Sequence, residues 1–136
     1  MIFNYKNIAE TVFIKRYFDV LNTAQPDPEK LLSESEIIVL AGFLMLPDKF
    51  NDKRYGTLAR QKVCESVSNT YKTMTRQNLQ NKIYALIEKG LLYRDDDGVI
   101  YTKLYIMKGI QAGLKALRNG GDFEMTFRFS YDKKRS

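Results

Sequence analysis

Apolar positions follow two rhythms along this chain, and the changes of rhythm divide it into elements. Between residues 7 and 21, Ile8, Val12, Phe13, Tyr17, Phe18 and Leu21 recur near helical spacing, which predicts a helix. The run VFIKRYFDV inside it also alternates, so a strand is the competing reading. NTAQPDPEK, residues 22–30, reads as a loop because its two prolines deny regular pairing. Ser33 and Glu36 then stand at capping-box spacing. Residues 37–46 are apolar nearly all round, so the helix they form belongs in the core, and Pro47 stops it. After a polar loop at 48–56, a second helix is expected from about residue 57 to 67, with Leu58, Val63 and Val67 inward and Arg60, Gln61 and Lys62 outward. Residues 68–74 form the turn after it. Thr75 opens a third helix running to Lys89, whose stripe of Leu79, Ile83, Leu86 and Ile87 must face inward, and Gly90 sits where a left-handed stop is usual.

Beyond Gly90 the period shortens. Residues 91–106, LLYRDDDGVIYTKLYI, read as a β-hairpin turning at Asp97-Gly98. Residues 108–118 read as a short helix weakened by Gly109 and Gly113, and Gly120-Gly121 breaks it. Residues 122–132 alternate cleanly, placing Phe123, Met125, Phe127, Phe129 and Tyr131 on one face of a half-buried strand. That face needs cover, either from the domain itself, alongside the hairpin, or from a second subunit or another protein by strand addition. The glycine pair would let the strand swing out, which favours the interface reading. KKRS ends the chain as a basic tail. The fold class expected is α+β, mainly helical. Residues 1–32 form an N-terminal segment and loop, 33–106 a three-helix core with a hairpin, and 107–136 a short helix, strand and tail.

Composition narrows the functional classes. The chain has 136 residues, 44% of them apolar, enough for one domain with a modest core. Net charge is +6, but nine lysines and arginines stand against two glutamates in residues 53–94, a local +7 that leaves −1 for the rest. A basic centre between near-neutral flanks suits a phosphate-contacting surface, although a solvated face gives the same count. No apolar run reaches the length of a membrane span, and MIFNYKNIAETVF lacks the layout of a secretory signal, so no membrane partner and an intracellular site are expected.

Catalysis finds little footing. The chain has no histidine, so it has no histidine-based triad, general base or metal ligand set. Cys64 is the single cysteine and reads as a small buried hydrophobe. No phosphate-cradling glycine loop is present. Asp95, Asp96 and Asp97 lack further ligand spacing and read as a solvated turn. The expectation is therefore no enzyme, no cofactor and no metal.

Three helices, a helix ending in EKGLL and a hairpin, above all MTRQNLQNKIYALIEKGLLYRDDDG, resemble the winged helix–turn–helix group of DNA-binding regulators over about residues 33–104. Small phage-encoded proteins share the layout. The resemblance implies that a threonine opens the recognition helix and that polar residues in its first turns enter the major groove. The turn before that helix, about seven residues, exceeds the 3–4 of a compact helix–turn–helix. With the apolar stripe inward, Arg76, Gln77, Gln80, Asn81 and Tyr84 face out as candidate base contacts, since arginine pairs with guanine and glutamine or asparagine with adenine. Arg54, Arg60, Lys62, Lys72, Thr73, Lys82 and Arg94 are the candidate phosphate contacts. The leading expectation is a sequence-specific duplex-DNA-binding regulator of transcription, oligomeric, lying in the cytoplasm or a virion. The alternative is a non-catalytic structural or adaptor protein of a phage particle or nucleoprotein complex that keeps the scaffold for protein contacts. The acidic hairpin tip and the terminal strand favour that alternative.

Overall fold

ETVFIKRYFDVLNTA settles as a helix, α1 (Glu10–Ala24), because Phe13, Ile14, Tyr17, Phe18 and Leu21 then share one buried stripe that a strand would split between two faces. The computed structural model describes residues 2–4, 10–70, 72–120 and 122–124. Ahead of α1 lies the short strand β1 (Ile2–Asn4). After α1, a single 3-10 turn at Pro28–Lys30 leads to α2 (Glu34–Leu44).

The start of α2 follows the capping box: Glu36 N donates to Ser33 Oγ at 3.2 Å and Ser33 N donates to Glu36 Oε1 at 2.8 Å. Glu36 is buried, and Lys89 Nζ meets the same carboxylate oxygen at 2.6 Å. Burial alone would raise its pKa, but the Lys89 and Ser33 hydrogen bonds and the Lys89 charge outweigh it and hold the carboxyl below its usual value. α2 ends before Pro47 and packs against α1 and two later helices, α3 (Thr57–Thr70) and α4 (Arg76–Glu88). Ile37, Val39, Leu40, Ala41, Phe43 and Leu44 are all buried, as expected of a helix apolar on nearly every side.

Three expectations change here. Leu58 does not face the core but is 58% exposed, because Ala59, Val63 and Val67 set the buried side of α3. α3 also continues to Thr70, so the connection to α4 spans residues 71–75, shorter than the sequence suggests and nearer to a compact turn. Ser68 holds it: Met74 N donates to Ser68 Oγ at 3.0 Å, and the Ser68 hydroxyl donates to the Met74 carbonyl at 3.4 Å. The third change is at the hairpin, where the strands are only β2 (Leu92–Arg94) and β3 (Ile100–Thr102), antiparallel with Tyr93 opposite Tyr101. Residues 104–106 already belong to α5 (Leu104–Arg118), since Ile106, Ile110 and Gly113 fall on one helical face.

α5 packs against α1, and its glycines explain how. A methyl group on Gly113 would land on the ring edge of Phe13, and one on Gly109 on the Tyr17 hydroxyl. β4 (Asp122–Glu124) then pairs antiparallel with β1, Phe123 opposite Phe3. The expected strand thus begins where the alternation begins, but it pairs along one edge with the chain's own N-terminal strand and not with the hairpin. Met125, Phe127, Phe129 and Tyr131 lie outside the described residues. The architecture is mainly helical with an antiparallel hairpin, and α1 to α5 and the hairpin share one apolar cluster. Among the described residues no helix is long and apolar enough to cross a membrane.

Candidate functional site

Thr75 caps α4 by accepting a hydrogen bond from Asn78 N at 3.1 Å, which fixes where the helix begins. Its rotation is set by Leu79, Ile83 and Leu86, all buried. Gln77, Asn81 and Tyr84 then point away from the core and are exposed, with Arg76 exposed at the first turn and Gln80 half-buried on the flank. The five candidate base contacts therefore lie on one outer face. Gly90 ends the helix with φ +85°, its N–H bonding Ile87 O at 3.1 Å while Leu91 N bonds Leu86 O at 3.0 Å, and the buried Leu91 side chain turns the chain into β2.

The outer face is internally bonded. Gln77 Nε2 donates to Asn81 Oδ1 at 3.1 Å, and Gln80 Nε2 donates to Tyr84 Oη at 2.8 Å. Arg94 of β2 reaches over α4, its guanidinium carbon 5.5 Å from the Tyr84 ring centroid. The Gln80 hydrogen bond, then Arg94, and the more distant charge of Arg60 hold the Tyr84 phenol below its ordinary pKa. Sequence reasoning named Gln80, Tyr84 and Arg94 but missed that they form one cluster, because contacts between a helix and the following strand leave no periodic signal.

The cations sort into three groups. Lys62, Lys72 and Arg94 are exposed, as is Thr73 in the turn before α4. Lys82 and Arg60 are half-buried, and Arg60 Nε donates to Tyr55 O at 2.8 Å. Arg54 is a correction. It is only 7% exposed, and its Nη1 donates to Phe43 O and Leu46 O, both at 3.0 Å. It is thus a buried cap on carbonyls at and just beyond the end of α2 and is not placed to meet a phosphate.

The acidic tip has a structural role too. Asp95 Oδ1 accepts from Asp97 N at 3.0 Å and from Val99 N at 2.8 Å, while Gly98, φ +83°, closes the turn with its N–H on Asp95 O at 3.0 Å. One of the three carboxylates is therefore committed to building the turn, and Asp96 and Asp97 remain exposed. The hairpin is tied to the core by a buried hydrogen bond of 2.8 Å between Tyr55 Oη and Thr102 Oγ1.

Cys64 is half-buried; burial pushes its thiol up, and Arg76 nearby only partly offsets this. Among the described residues no group of three His, Cys, Asp or Glu could hold a metal ion. A cleft at the far end of α4 is lined by Asp27, Glu29, Lys30, Ala85, Glu88 and Lys89, without the apolar walls usual in small-molecule sites. Comparison with protein-family models, curated proteins and solved structures returns no match to this chain.

Proposed function

We propose that α2, α3, α4 and the β2–β3 hairpin form a winged helix–turn–helix and that the chain binds duplex DNA through α4, as a non-catalytic regulator of transcription. The observation that carries this reading is the outer face of α4, where uncharged Gln77, Gln80, Asn81 and Tyr84 are exposed or half-buried between exposed cations, Arg76 at the helix start and Arg94 on the hairpin. A merely solvated helix face favours Lys and Glu, whereas base edges call for amides and hydroxyls with cations at the rim for phosphates. Lys62, Lys72 and Thr73, with Arg60 and Lys82 partly covered, extend the rim. Replacing Arg76 or Gln80 by alanine should weaken a selected site roughly tenfold and leave nonspecific binding largely intact, while Lys62→Ala should weaken all sequences evenly. If both helix variants bind a selected site as the parent does, α4 is not the reading element.

A second reading keeps the scaffold for protein contacts, as a structural or adaptor component of a phage particle or nucleoprotein complex. It draws on the outer face of the hairpin, where Tyr93 and Tyr101 stack at 5.6 Å between ring centroids with Tyr93 exposed, and on Leu104 and Tyr105, 65% and 54% exposed. Duplex binding that survives the α4 substitutions would favour neither reading of that helix, whereas loss of a protein complex on Tyr93→Ala would favour this second one.

A further inference from the structure

The two hydrogen bonds on the outer face of α4 share one polarity. In each, a glutamine amide nitrogen donates four residues onward: Gln77 to Asn81 and Gln80 to Tyr84. Each bond uses one polar atom from each side chain and leaves the pair one acceptor and one donor. The first leaves Gln77 Oε1 as an acceptor and Asn81 Nδ2 as a donor. The second leaves Gln80 Oε1 as an acceptor and the Tyr84 hydroxyl proton as a donor. Arg94 also donates to the Tyr84 phenol oxygen, which leaves the phenol proton to donate outward. Both pairs thus present an acceptor from the residue nearer the helix start and a donor from the residue one turn further on.

That pattern fits one base edge in the major groove. Adenine shows an acceptor, N7, beside a donor, its 6-amino group. Guanine shows two acceptors, N7 and O6, so a glutamine oxygen would face an oxygen; cytosine offers only a donor there, and thymine an acceptor beside a methyl group. We infer that α4 selects adenines through the pairs Gln77–Asn81 and Gln80–Tyr84, each pair acting as one preset donor–acceptor fork. This rests on the DNA-binding reading above and names the bases that reading leaves open.

Three further features agree. Residues 77–81, QNLQN, carry no charge, so α4 itself sets no guanidinium against a guanine at the first fork. From Gln77 to Tyr84 the helix rises about 10.5 Å at 1.5 Å per residue. The pair midpoints, near residues 79 and 82, are about 4.5 Å apart along it, a little over one base-pair step of 3.4 Å, so the two forks would meet adjacent base pairs. Arg94 over the Tyr84 ring steadies the second fork from the hairpin side, which lowers the ordering cost on binding. Arg76 lies outside the forks, so a guanine contact is placed at the edge of the site.

Selection of binding sites from a randomised duplex library tests this. The expected outcome is a site whose central positions are adenines, read by wild type and lost as a preference in Gln77→Ala and Asn81→Ala, with circular dichroism showing both variants folded. Replacing a selected adenine by 7-deazaadenine, which removes N7, should weaken wild type roughly tenfold and weaken Asn81→Ala little further. Selected sites centred on guanine and dependent on Arg76, or duplex binding with no enriched sequence, overturn the inference while leaving DNA binding standing. Absence of any duplex binding at low salt overturns both.

Discussion

Arg54 shows how one residue type can carry opposite meanings. In the sequence it is another cation of a basic stretch. In the fold it is buried, with both of its Nη1 bonds spent on carbonyls at and just beyond the end of α2. Nothing in local spacing distinguishes the two, because the carbonyls it caps lie 8 and 11 residues earlier in the chain. Arg54→Ala should therefore cost about 2–3 kcal/mol of stability, read by urea unfolding, by stripping charge-assisted hydrogen bonds from buried carbonyls. A surface cation would cost nearly nothing. Glu36 is the complementary case, since its capping role is legible from Ser33 while its partner Lys89, 53 residues away, is not. The carboxyl is held below its ordinary value of 4.5, so its charged form is favoured by the fold. Its contribution is fully present above pH 4.5 and is lost as pH falls through the lower, folded value. Glu36→Ala should cost about 3 kcal/mol at pH 7 by stranding Lys89 and the cap. It should also flatten the fall of stability below pH 4.5; urea midpoints from pH 3 to 7 that run parallel in the two proteins would contradict this assignment.

At the scale of elements, α2, α4, Thr75, Gly90 and the hairpin turn follow from capping residues and periodicity, which act over a few residues. The misplaced boundaries share one cause. YTKLYI alternates as a strand should, yet its last residues join α5 because Ile106, Ile110 and Gly113 pack as one helical face against earlier elements. The glycines of α5 read as weaknesses in the sequence, but they are where α1 approaches. Gly113→Ala separates the two meanings. Helix propensity alone would make it stabilising by about 1 kcal/mol. The fully buried Phe13 ring occupies the space the methyl group needs, so the net effect should be a loss of about 1–3 kcal/mol, measurable as a lowered thermal midpoint. A raised midpoint would mean that α1 and α5 do not meet there. The α4 site was legible as five residue names, but the Gln77–Asn81 and Gln80–Tyr84 pairs and the Arg94 contact needed the rotation of the helix and the path of the hairpin.

At the scale of the whole molecule, charge is the property most directly tied to the proposed function. With Arg54 taken into the core and Lys89 engaged by Glu36, the cations of residues 53–94 that stay exposed or half-buried without an ion pair to the core are Lys53, Arg60, Lys62, Lys72, Arg76, Lys82 and Arg94. The overall basic centre was visible in the sequence; which of its charges remain outside was not, since that depends on tertiary burial. The affinity for duplex DNA as a function of salt measures how many of them meet phosphates. Each phosphate neutralised contributes about 0.9 to the slope of log affinity against log salt. Four or five contacts predict a slope of about −4 on mixed-sequence DNA, reduced by about 1 in Lys62→Ala. Absence of binding at about 50 mM salt on mixed and selected duplexes alike, or binding with a slope near zero, would contradict the proposal that this face holds DNA.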